Sequence, residues 1–154
     1  MPTTASPEAQ LASFIDKFTP AIAALTRATL AKMRKRYPTA IELVYDNYNA
    51  LAIGFSPTER ASDGIFSVAV YPRWINLFFL QGRTLADPKR LLKGNGNVVR
   101  HIQLPSAATL DDKDIQSLMK EAAAVARVPF PPKGEHRLII KSIAAKQRPR
   151  RPPA

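Results

Sequence analysis

The sequence predicts a single α+β domain, an antiparallel sheet with helices packed on one face. Three patterns point there. Apolar residues recur at helical spacing through the first third of the chain, at Leu11, Phe14, Ile15 and Phe18, then at Ile22, Leu25, Leu30, Met33 and Tyr37. From Ile41 to Leu80 the period drops toward two, in short runs rich in Ile, Leu, Val and Tyr. After Thr109 helical spacing returns once, and a last apolar run, Arg137 to Ile143, follows it. Helices, then strands, then helix and strand sort into two layers.

Each element has a local reason. Ser6-Pro7-Glu8 is helix-start chemistry: Ser accepts orphan amides, Pro fits the first turn, and Glu complements the dipole. Thr19-Pro20 repeats it, so a break there and a second helix over 20–37 are expected, closed by Pro38. Lys32-Met33-Arg34-Lys35-Arg36 puts cations at the negative end of that helix. Strands follow at 41–48, 51–55, 65–71 and 74–80, with Ser56 to Gly64 a polar loop. Ala86 to Leu92 suits a short helical turn, Gly94 to Asn97 a turn, and Val98 to Leu104 a fifth strand. Thr109 and Asp112 have capping-box spacing, so a helix is expected over 109–127, ended by Pro129-Phe130-Pro131-Pro132. Residues 137–143 then read as the last strand.

Composition narrows the function. The chain has 154 residues, 23 Lys and Arg against 12 Asp and Glu, a net charge of +11, and no cysteine. One domain is the natural partition of that length. Without cysteine there is no disulfide, thiolate nucleophile or Cys-bearing metal site. Apolar runs are too short for a membrane span, and the start of the chain lacks a basic region followed by an apolar core. A cytoplasmic protein with no membrane partner is expected. The basic excess is partly local: residues 146–154 carry Lys146, Arg148, Arg150 and Arg151 with no acid and several prolines. That segment reads as a disordered basic tail behind a domain ending at residue 145.

Chemistry is sparse. His101 and His136 are the only histidines, and neither sits in a metal-ligand spacing. Asp111, Asp112 and Asp114 have a structural reason to cluster, at a helix start. No nucleophile elbow places a serine, so neither an enzyme nor a cofactor is expected. Trp74, Phe78 and Phe79 would stack bases if exposed, but an apolar strand more often buries them. The richest polar stretch is Arg83 to His101, with Arg83, Lys89, Arg90, Lys93, Arg100 and His101 against one acid, Asp87. Within it, Lys93-Gly94-Asn95-Gly96-Asn97 offers backbone amides to an anion, although a Gly-x-Gly before a strand is more often a turn needing positive φ. The expected site is therefore a non-catalytic surface for a small anionic ligand, built from Arg73, Lys93, Asn95, Asn97, Arg100 and His101. Arg100 and His101 point to opposite faces of a regular strand, so both contribute only at its end. Weak, nonspecific attraction of nucleic acid through the basic surface and tail is the alternative that charge allows.

Several segments together resemble the bacterial YdhG-like family. They are the N-terminal helical pair running into Ile41-Glu42-Leu43-Val44-Tyr45, then Tyr71-Pro72-Arg73-Trp74, the strand 75–80, Gly94-Asn95-Gly96-Asn97-Val98-Val99-Arg100-His101, and the helix after Thr109. The resemblance covers about residues 10–127. It implies a small frataxin-like α+β fold with helices on one sheet face, and in one branch an iron-delivery role. The chain departs from that branch. Only Glu8 and Asp16 are acidic in the first helix, and Arg27, Lys32, Arg34, Lys35 and Arg36 dominate the second. Those cations repel a ferrous ion, so no metal is expected.

Overall fold

Ser6 and Thr19 act as the start chemistry predicts. In the computed structural model, which describes residues 5–153, the Ser6 hydroxyl accepts from the Ala9 amide at 3.1 Å and the Thr19 hydroxyl from the Ile22 amide at 3.3 Å. They open helices α1 (Pro7–Ile15) and α2 (Pro20–Arg36). Four strands follow as a meander: β1 (Ile41–Asp46), β2 (Leu51–Ser56), β3 (Phe66–Val70) and β4 (Ile75–Phe79). Then come β5 (Arg100–Gln103), α3 (Lys113–Val125) and β6 (Arg137–Ile143). Residues 1–4 and 154, the extremes of the two segments assigned from sequence, lie outside the described residues.

The six-stranded sheet runs β5-β4-β3-β2-β1-β6. Neighbours pair antiparallel except β1 and β6, which are parallel, so the sheet is mixed rather than wholly antiparallel. After β5, at one edge, the chain crosses through α3 before pairing with β1 at the other. A parallel pairing needs such a long crossover. The edge is guarded by Arg137 and Lys141, which reach the Glu59 carboxylate and carbonyl.

Register sorts the side chains onto two faces. One row, Ile140–Val44–Ile53–Val68–Leu77–Ile102, is apolar throughout. It joins Leu11, Ile22, Leu30 and Met33 of the first two helices and Ile115, Leu118 and Met119 of α3 in one buried cluster. The helices thus share one face of the sheet. The neighbouring row on that face carries Glu42, Phe55, Phe66 and Phe79, and Phe66 meets Phe79 edge-on with ring centres 5.6 Å apart. Tyr37 packs on Phe66 and Phe130, and burial pushes its phenol up to about 12. The opposite face carries the row Ile139–Leu43–Gly54–Ser67–Phe78–His101, extended by Lys93 through a bridge to His101.

Three local expectations are corrected. Residues 86–92 form no helical turn: Asp87 and Arg90 take positive φ, and the Asp87 carboxylate accepts from the Leu91 and Leu92 amides. A short Asp side chain that binds nearby amides competes with helix. The α3 cap is Asp112, which accepts from the Asp114 and Ile115 amides, while Thr109 lies in a preceding 3-10 turn. The segment assigned as a disordered tail is laid against the body. Arg148 donates its backbone amide to the Tyr48 carbonyl, and Arg150 is buried. Its partner is a buried carboxylate that only folding creates.

Candidate functional site

The residues expected to form one anion site fall into two places. Arg73 lies in the β3–β4 turn, just before Ile75, whereas Arg100 pairs with Phe79 at the far end of β4. At about 3.3 Å per residue, the strand between them spans about 13 Å. Arg73 is therefore not part of a cluster with Arg100.

Around residues 94–97 the structure shows a braced turn. Gly94 has φ of 112°, a backbone region open to glycine. Arg100 turns its guanidinium to the Gly96 and Val99 carbonyls, at 2.6 and 2.8 Å, and Arg83 donates to the Asn97 carbonyl at 3.1 Å. Those donors hold the turn. Asn95 and Asn97 are exposed beside them. His101 belongs to the other sheet face, where its ring lies 5.3 Å from that of Phe78 and Lys93 bridges its backbone.

A groove of about 610 Å³ opens at the opposite end of the sheet, between the β3–β4 turn and the C-terminal segment. Its walls hold Tyr71, Arg73 and Trp74 on one side and Arg148 and Arg151 on the other, with no acidic side chain. Tyr71-Pro72-Arg73-Trp74 forms the turn because Pro72 fits a bend, and the Tyr71 amide closes on the Trp74 carbonyl at 2.9 Å. Trp74 stacks on Tyr71 at 5.2 Å and 24°, yet keeps 41 % of its surface exposed. Burial raises the Tyr71 phenol above its ordinary value, so it stays neutral.

The opposite wall stands because the C-terminal segment is pinned. Arg150 donates to Asp46 at 2.8 Å and to the Asn47 carbonyl, and lies over the Phe18 ring. Lys17 reaches the same carboxylate at 2.8 Å. Burial alone would raise the Asp46 pKa, but hydrogen bonds from Lys17, Gln147 and Arg150 outweigh it and hold the carboxyl below its ordinary value. Pinning Arg150 leaves its neighbours facing the groove. Arg148 sits over the Tyr48 ring, 5.9 Å from its centre, and Arg151 donates to the Lys17 carbonyl at 3.1 Å. Among the described residues, neither Arg73 nor Arg148 is ion-paired to a carboxylate.

Two other depressions offer no exposed aromatic ring. One carries Asp63 with Arg60 and Arg127. The other, beside α3, holds Lys113 and Lys120, while its Arg36 is committed to Asp111 and the Leu110 carbonyl. No group of three or more His, Asp or Glu side chains converges among the described residues. No helix in them is long and apolar enough to cross a membrane.

The groove was legible only in part. The sequence offers Arg73 as a ligand residue, Trp74 as a stacking ring if exposed, and Arg148 and Arg151 only as part of a basic tail; it assigns no role to Tyr71 and does not show the tail forming a wall. The available signal was a Pro-Arg turn flanked by Tyr and Trp, together with an acid-free Arg/Pro segment that required a wall to lie on. No family model, curated protein or solved structure matches the chain.

Proposed function

We propose that the chain is a non-catalytic binding protein for an anionic ligand, and that the ligand sits in the groove between the β3–β4 turn and the C-terminal segment. The observation that carries this reading is the acid-free wall of Arg73, Arg148 and Arg151 around a partly exposed Trp74. Guanidinium groups suit phosphate or carboxylate because their donors form a fork. The Tyr71–Trp74 pair adds a flat apolar surface for a planar group. The proposal keeps Arg73 from the expected site and leaves out Arg100, which stands at the far end of β4 and braces the turn carbonyls through Nη1. A YdhG-like, frataxin-like kinship belongs to the same proposal. The helices on one sheet face favour it, and the parallel β6 is compatible with a two-layer fold.

Calorimetric titration with inorganic phosphate and with uridine 5′-monophosphate, in low salt, tests the site. Each charged hydrogen bond contributes about 1.5–3 kcal/mol, so Arg148→Ala and Arg73→Ala should each weaken the mononucleotide about tenfold. Both residues are exposed, which spares the fold. Unchanged affinity in both variants, or no binding by the wild type, overturns the proposal.

A further inference from the structure

We infer that the ligand is single-stranded nucleic acid, bound along a path that starts in the groove and continues over the helix-free face of the sheet. This rests on the groove reading and extends it. The groove and a second depression of about 520 Å³ on that face share Asn49 and Tyr71, so they form one continuous surface. Ala52, Ser67 and Ala69 line the second depression with small side chains, which leave room for a flat base. Rings stand along the path: Trp74 on Tyr71, Tyr48 under Arg148 with 47 % of its surface exposed, and Phe78 against His101. Cations stand at both ends, with Arg73, Arg148 and Arg151 in the groove and Lys93 beside His101 on the same face. No acidic side chain lines either depression. Asn47 and Asn49 add amides able to pair with base edges.

That combination fits an unpaired strand better than a duplex. Successive bases expose π-faces to aromatic side chains only when unpaired, and phosphates follow a basic groove. In a duplex the rings are hidden within the stack, and only the phosphate attraction remains. The sequence allowed weak attraction through the tail; the geometry adds a stacking platform to it.

Fluorescence anisotropy with a labelled 12-nucleotide oligo-U and an oligo-dT of equal length tests the inference, beside a hairpin duplex and uridine 5′-monophosphate. Both single strands should bind at least tenfold tighter than the mononucleotide and clearly tighter than the duplex. The salt dependence should have a slope of about −2 to −3, since single strands give about −0.7 per neutralised phosphate. Phe78→Leu keeps apolar volume but removes the ring; it should weaken the oligonucleotide about tenfold and leave the mononucleotide unchanged. Lys93→Gln, at an exposed position, should lower the slope by about 0.7. Circular dichroism confirms that both variants fold. If the mononucleotide binds but the oligonucleotides bind no tighter, the inference fails and the groove reading stands. If no nucleotide binds, both fail. Equal affinity for the duplex, or no effect of either variant, also overturns it, leaving diffuse electrostatic attraction.

Discussion

Arg150 and Asp46 form an ion pair that is closed to solvent on both sides: the contact is 2.8 Å, and the side chains are 4 % and 1 % exposed. Buried charge survives only when its hydrogen bonds are made, and here Asp46 also receives Lys17. The pair ties the C-terminal segment to the end of β1 and so places Arg148 and Arg151 across from Trp74.

Arg150→Ala should therefore destabilise the chain. Removing one partner of a fully buried pair costs about 3–5 kcal/mol. Lys17 keeps Asp46 partly compensated, so about 2 kcal/mol is expected. That corresponds to about 4–8 °C in Tm for a chain of this size. Thermal unfolding followed by circular dichroism checks it. An unchanged Tm would mean that the segment is undocked, as its composition alone suggested.

Acid should weaken the same joint. Because the folded Asp46 pKa lies below its ordinary value, its contribution is complete above the unfolded value and is lost as pH falls through the folded one. Stability in urea should be flat for this group from pH 7 to about 5 and should drop below about pH 4. Asp46→Asn should start less stable and lose less between pH 5 and pH 3. Parallel losses in the two proteins would remove Asp46 from the acid limb.

Glu42 gives a second, ordered prediction. Its side chain is fully buried and takes two hydrogen bonds from Arg34, at 2.6 and 3.0 Å, besides contacting His136; Arg34 is 33 % exposed. Removing Arg34 leaves a dry carboxylate short of donors, whereas removing Glu42 leaves a guanidinium that water reaches. Arg34→Ala should thus be more damaging than Glu42→Leu, by about 1–2 kcal/mol in urea unfolding. The reverse order would contradict the burial asymmetry.

These charged joints mark where sequence reasoning stopped. The helix starts at Ser6 and Thr19 were legible because a cap is chemistry within one turn of chain. The meander through Phe79 was legible because hairpin neighbours are close in sequence. The parallel seat of β6 was not, since nothing in Arg137 to Ile143 names β1 as its partner. Nor was the docking of Arg150, whose buried acceptor lies 104 residues earlier in the sequence. The run Trp74, Phe78, Phe79 shows the same limit within one segment: Phe79 is fully buried on the helix side, Phe78 half-buried on the other face, and Trp74 exposed before the strand. Only register separates them. Of the expected anion site, Arg73 belongs to the proposed groove, while Lys93 and His101 lie at the far end of the proposed strand path.

Trp74 allows the most direct measurement, because it is the only tryptophan in the chain and lies in the groove wall. Its emission should change saturably as uridine 5′-monophosphate is added in low salt, with the midpoint moving up as salt rises. In a variant carrying both Arg73→Ala and Arg148→Ala the change should vanish while the unliganded spectrum stays that of a folded chain. Emission that is unaltered by ligand in the wild type, or altered equally in the double variant, would contradict the groove as the binding site.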